Sequence, residues 1–225
     1  MTNTLHRYGD SESFHDDYIV FATPGKGKND WDSVPKLKKF LEMALPFNPV
    51  NIGDPVHGGS LRPSSNLGPL SHWKRDITPD FRAVIDGINE PASVVAIFDN
   101  LAAAEAFLKV AAAANLGLSV NVSASIAGAE QCCRFAGVTR HSIGYSLGFE
   151  GATEKLPNTQ LLKLTTMCGH GMVSASLAKK MIDWVKEGRR TPKQAATYMA
   201  RFCSCGVFNP SRAQRIFEDA RKKME

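Results

Sequence analysis

Thiol and imidazole groups are the residues of this chain best placed to do chemistry. Its five cysteines, Cys132, Cys133, Cys168, Cys203 and Cys205, all lie in the C-terminal half of 225 residues. One stretch, Met167-Cys168-Gly169-His170-Gly171, sets a thiol, an imidazole and two glycines side by side. A thiol at the head of a helix meets unpaired amide N–H groups and the positive end of the macrodipole, and both favour thiolate. Cys168 precedes a helical pattern beginning near Gly171, and Cys205 precedes one beginning near Pro210. Cys168, His170 and Cys205 are therefore the candidate catalytic groups, and Gly169, Gly171 and Gly206 let backbone amides approach an anion.

Thiolates also select zinc or iron-sulfur clusters over hard cations. Cys132, Cys133, Cys168, Cys203 and Cys205 form a candidate ligand set drawn from three segments, which a fold can bring together. No C-x-x-C pair occurs, so the composition and not the spacing carries this reading. An iron-sulfur cluster is the expected cofactor, with zinc, or no metal, as the alternatives. Three protein thiolates would leave a metal position open for Lewis-acid chemistry on a hydroxyl or carbonyl. The expected function is thus a cysteine-centred metalloenzyme of lyase or hydratase type acting on a small anionic metabolite. A metal-free thiol enzyme (α-proton exchange or redox) and a non-catalytic metal or ligand sensor are the competing classes.

Met167-Cys168-Gly169-His170 resembles the M-C-G-H segment of proline racemases, and Ser204-Cys205-Gly206 would match that family's second C-G segment. The resemblance is confined to these short segments. What it implies is the metal-free alternative, in which Cys168 and Cys205 exchange the proton on a substrate α-carbon.

Composition narrows the setting. The net charge of +5 leans toward anionic ligands, but the lysines and arginines are spread along the chain with few aromatics between them. A nucleic-acid face concentrates its basic residues in a recognisable module, so nucleic-acid binding is disfavoured. No apolar run reaches the roughly 18 residues of a membrane helix. The polar, acidic start of the chain does not read as a signal peptide. A cytoplasmic location is expected, where an odd number of cysteines stays reduced. A small anionic ligand is the expected partner, and self-association is left open.

These groups must be positioned by secondary structure. Residues 1–15 read as a loose arm and 17–23 as a buried strand. Pro24 to Asp30 joins that strand to a helix over 33–45, and strand, glycine-lysine loop, helix is an anion-binding order. Gly25, Lys26, Gly27 and Lys28 are accordingly candidate substrate-binding residues. Residues 46–73, rich in proline and glycine, read as one long loop of lid or binding type carrying His57, a further candidate for substrate binding, and His72. Helix is expected over 79–88, 101–114 (capped by Asn100) and 125–135, and strand over 93–98, 116–123 and 141–147. The fold class is α/β, a layered, mostly parallel or mixed sheet of about four strands with covering helices. It spans residues 1–152, and an all-helical segment follows over 153–225. Within that segment Pro157 leads to Cys168 and Pro192 to Cys203 at the same separation, each proline suiting a first helical turn.

Overall fold

A strand that is apolar or β-branched at nearly every position needs cover on both faces. A computed structural model, which describes residues 5–62 and 76–222, provides that cover. β1 (Tyr18–Thr23) is buried from Tyr18 to Ala22. It is followed by α1 (Ser33–Ala44), the short strands β2 (Asn51–Asp54) and β3 (Gly58–Gly59), and α2 (Phe81–Gly87). β4 (Val94–Phe98), α3 (Leu101–Ala114), β5 (Ser119–Ser123) and α4 (Ile126–Ala136) come next. The described chain ends with α5 (Thr159–Thr165), α6 (Ala175–Lys186), α7 (Pro192–Ala200) and α8 (Pro210–Lys222).

The strands form one sheet in the order β3-β2-β4-β1-β5, and every neighbouring pair is antiparallel. β1 and β2 therefore run parallel with β4 between them, and β4 and β5 run parallel with β1 between them. α1 and α3 are the crossovers of two interleaved split β-α-β units, the connection pattern of ferredoxin-like folds. The expected parallel pairing is corrected on this point: the β-α-β unit over residues 93–123 exists, but β1 is inserted between its strands.

Alternate side chains of the sheet enter two separate cores. Val20, Ala22, Val94, Ala96 and Phe98 meet Leu37 and Phe40 of α1 and Phe107 of α3. Phe107 is central to that core, with ring centroids 5.0 Å from Phe40 and 5.3 Å from Phe98. Ile19, Phe21, Val95 and Ile97 face the other way, onto Leu164, Met181, Met199, Phe208 and Phe217 of the C-terminal segment. The helical segment is a third layer, closing the sheet face that α1 and α3 leave open.

Other expectations change. The stretch 141–147 is not a strand, and its alternating side chains stand out into solvent, Leu147 at 89% exposure. The supposed loop over 46–73 contains β2 and β3; its remainder from residue 63, including His72, lies outside the described residues. Pro157 is not in a first helical turn, because Asn158 after it is the N-cap of α5. Pro192 does open α7, behind a capping box of Thr191 and Gln194. The arm from Leu5 is packed, with Leu5 and Arg7 buried. Among the described residues no helix is long and apolar enough to cross a membrane.

Candidate functional site

Two helix-joining turns carry three of the cysteines. Cys168 lies between α5 and α6, and Cys203 and Cys205 lie between α7 and α8. Packing of the second turn on the sheet depends on glycine. Gly206 has a φ of 72°, and a Cβ there would stand 2.7 Å from the Cα of Gly53 in β2. With no side chain on either residue, the turn lies flat on the strand. Asn51 fixes the approach: its amide donates to the Phe208 carbonyl at 3.0 Å, and its Oδ1 accepts from the Ser60 hydroxyl at 2.6 Å. The first turn is held by the arm, since the amide of His6 donates to the Gly169 carbonyl and the amide of Tyr8 to Thr166 Oγ1 at 2.9 Å. Leu5 packs directly on Gly169, whose φ of 69° belongs to glycine.

The result is a chain of sulfurs. Cys168 lies close enough to Cys203 for the two thiols to share in each other's titration. Cys203 Sγ lies 3.7 Å from Cys205 Sγ, and Cys205 Sγ lies 3.3 Å from His170 Nδ1. The Cys168 sulfur also accepts the backbone N–H groups of His170 at 3.4 Å and Met172 at 3.3 Å. All three sulfurs are closed off from solvent, whereas His170 is exposed.

These bonds divide the protons unequally. The Cys203 thiol hydrogen bond lowers Cys168 to about 5 against the opposing effect of burial, and the amides of His170, Met172 and Val173 assist. Cys205 falls to about 6, first through Cys203 and then through the Val207 amide and His170. Cys203 interacts with both Cys168 and Cys205 through its single thiol proton and is buried, and it is pushed well above the ordinary thiol range. These shifts favour thiolate at Cys168 and Cys205 and thiol at Cys203. A sulfur accepting two or three amide N–H groups is prepared to carry negative charge, which an inert buried cysteine is not.

The expected third segment does not join them. Cys132 is buried in the opposite core among residues of α1 and α3, with the sheet between it and Cys168, and burial pushes its thiol up to about 12. Cys133 is half-buried on the same helix. The expected convergence of all five cysteines is corrected: the fold gathers Cys168, Cys203 and Cys205 and keeps Cys132 and Cys133 apart from them. Among the described residues no group of three or more Cys, His, Asp or Glu side chains is arranged so that it could hold a metal ion. Cys205 has both Cys203 and His170 as neighbours.

The candidate anion loop lies beyond the end of β1, and two of its amides already have acceptors. Gly25 N–H donates to Asn29 Oδ1 at 2.6 Å and Gly27 N–H to Asp30 Oδ2 at 3.0 Å, so Asp30 occupies with its own carboxylate a place an anion would take. Lys26 and Lys28 are in the exposed turn. His57, in the turn between β2 and β3, has its Nδ1 3.1 Å from both carboxylate oxygens of the buried Asp54, which also accepts the amides of Val56 and His57. That pairing orients the imidazole within its turn.

A second polar group escaped sequence reading altogether. Asp17 is fully buried and paired with both Arg7 and Arg212, and it accepts the Asn209 amide at 2.9 Å. Nothing in local spacing joins residues 7, 17 and 212; the only signal was an aspartate opening an apolar strand. No protein-family model, curated protein or solved structure matches the chain.

Proposed function

We propose that Cys168, Cys203 and Cys205 bind a soft metal as thiolates, with His170 beside them as a fourth ligand or as a proton-transfer group. The observation that carries this reading is the convergence of three sulfurs, two of them accepting backbone N–H groups, at a place that solvent does not reach. A tetrahedral zinc with Zn–S bonds of about 2.3 Å spaces its sulfurs about 3.8 Å apart. The separation of Cys203 and Cys205, 3.7 Å, fits that spacing. Metal binding would require the Cys168 and Cys205 side chains to turn toward a common position. Zinc fits this spacing better than an iron-sulfur cluster, in which the thiolates hold different irons.

Three thiolates leave one position open, and the exposed His170 marks its solvent side. The reaction class this suits is metal-assisted lyase or hydratase chemistry on a small anionic metabolite, in a reducing compartment such as the cytoplasm. Protein prepared without oxygen is expected to hold zinc, or iron with sulfide, in stoichiometric amount. Protein that holds neither metal and takes up neither when offered them overturns the reading.

The sulfur separation also favours one other reading, thiol redox exchange. Cys203 and Cys205, with sulfurs 3.7 Å apart, are placed to form a disulfide once an oxidant accepts the electron pair and the thiol proton is released. Metal-free protein in which mild oxidation joins two of these three cysteines would support it.

A further inference from the structure

β5 is the outer strand of the sheet, and among the described residues no strand lies beyond it. Edge strands are ordinarily kept from pairing with other chains by charges, proline, a bulge or extreme shortness. The opposite edge is protected by shortness, since β3 has only two residues. β5 has five, and it runs against β1 in unbroken register from Ser119↔Thr23 to Ser123↔Ile19, so no bulge turns it away. From Leu116 to Ala129 there is neither a proline nor a charged residue, in a chain that is 22% charged. α4 packs on α3, and its buried Gly128 lies against Tyr18 of β1, so the helix reaches inward from β5 and leaves the outer edge bare. Ser119 is accordingly exposed and Val120 to Ser123 are half-buried, whereas β4 is buried throughout.

The strand also reads the same from either end. Ser119-Val120-Asn121-Val122-Ser123 is a palindrome, and its flanks match in kind: Leu118 with Ala124, Gly117 with Ser125, Leu116 with Ile126. Such a strand is complementary to an antiparallel copy of itself. We infer that β5 pairs with β5 of a second copy of this chain, about a two-fold axis at Asn121, joining two five-stranded sheets into one of ten strands. Serine then faces serine and valine faces valine, with no charge at any position. Val120 and Val122 pack on the core beneath α1 and α3, and their pairing carries that core across the axis. On the other face the Asn121 amide, which both donates and accepts, meets its own copy. Each edge is used once, so association stops at two. Area supports the same occupant. Ile126, Tyr145 and Phe149 line one cavity with Ser123 and Ser125 at the end of β5, and Leu147 lies between the last two in sequence. These four are 41% to 89% exposed. Together they offer roughly 500 Å² of surface, at about 150–250 Å² for a whole side chain. A standard interface takes about 800 Å² from each partner, and the five-residue edge supplies the remainder. This contact is independent of the thiol site.

Sedimentation equilibrium of the full chain under reducing conditions should show a dimer in the micromolar range. Ser119→Lys together with Ser123→Lys sets like charges opposite one another twice across the axis, and should weaken the dimer by roughly 10-fold or more. Ser119→Lys together with Ser123→Glu sets opposite charges in the same two places and should restore association. Asn121→Cys tests the register. Directly opposite residues of an antiparallel pair have Cα atoms about 4.5–5.5 Å apart, within disulfide reach. Mild oxidation should therefore join two copies at position 121, located by peptide mapping of the cross-linked band, whereas Asn115→Cys at the end of α3 should give no such band. A wild-type chain that stays monomeric would overturn the inference, leaving the edge to the stretch 141–149 or to a strand of another protein. A dimer that the double-lysine variant holds as tightly as wild type would also overturn it, since the contact would lie elsewhere. So would a weakening that Ser123→Glu does not reverse. If the double-lysine variant does not fold by circular dichroism, the cross-link decides: joining at position 121 supports the inference, and its absence overturns it.

Discussion

Cys168 and Cys132 are both fully buried, and only what each sulfur accepts tells them apart. Cys168 takes amide N–H groups and a thiol proton, whereas Cys132 lies in an apolar core that holds it as a thiol. Cys168→Ser is therefore expected to lose most of the bound metal, because serine is a poor soft-metal ligand of nearly the same size. Cys132→Ser should keep its metal and instead lose about 1–3 kcal/mol of stability from burying a hydroxyl among apolar side chains. Metal analysis and urea denaturation of the two variants separate these outcomes, and equal metal loss in both would remove the distinction. The metal-free protein should also respond to pH with a definite sign. Cys168 near 5 and Cys205 near 6 lie below their unfolded value of 9.0, so between roughly pH 6 and 9 the unfolded chain holds protons that the folded chain has released. Stability contributed by these thiolates rises across that window and is lost as pH falls through 6 and then 5. Cys203, raised above 9.0, has the opposite sign, and its contribution fades as pH climbs past its folded value. The Cys168→Ser variant should show a flatter rise in melting temperature from pH 6 to 9 than the metal-free wild type; an identical profile would mean that Cys168 is a thiol in this range.

Elements were legible where packing follows local pattern and illegible where it follows close approach. β1, β4, β5, α1 and α3 declared themselves through apolar runs and helical spacing, because each buries a face that its own sequence defines. β2 and β3 did not. Their residues, Asn51-Ile52-Gly53-Asp54 and Gly58-Gly59, have poor strand propensity and are strands because the turn at Gly206 needs a bare backbone beneath it. The stretch 141–147 erred the other way: alternation describes an extended segment with two unlike faces, but a strand also requires a ladder partner, and none lies beside it among the described residues. The candidate site was half legible for a related reason. That Cys168, Cys203 and Cys205 lie in helix-joining turns was legible from the flanking helical patterns, but which cysteines share a face of the sheet depends on the third layer, which no local spacing encodes. The glycine contact is testable at the same scale. Gly206→Ala would place a Cβ 2.7 Å from the Gly53 Cα and demand a left-handed φ from alanine. The left-handed conformation alone costs about 1–2 kcal/mol. A total loss above about 2 kcal/mol in urea denaturation is expected once the backbone clash is added. A loss below 1 kcal/mol would show that the turn can lift from the strand, and the sulfurs of Cys203 and Cys205 with it.

Across the whole molecule, what holds the thiol-bearing layer to the sheet is partly apolar and partly ionic. The apolar part is the packing of Ile19, Phe21, Val95 and Ile97 beneath Met181, Met199, Phe208 and Phe217. The ionic part is Asp17 at the entrance to β1, which joins the arm through Arg7 and α8 through Arg212 and Asn209. Asp17→Asn keeps the size of the side chain and removes its charge, leaving two buried guanidinium groups without a counter-ion. Breaking a buried pair in this way typically costs 3–5 kcal/mol, far more than an exposed pair contributes. Since all three layers share one sheet, that cost should appear as an earlier midpoint of a single transition with the urea slope unchanged. Far-UV circular dichroism and the reactivity of the Cys168, Cys203 and Cys205 thiols should follow the same curve, because these sulfurs are reached only when the layer opens. If the thiols react well before the helical signal falls, the C-terminal layer detaches by itself, and Asp17 would then be a latch for that layer and not a brace for the whole fold.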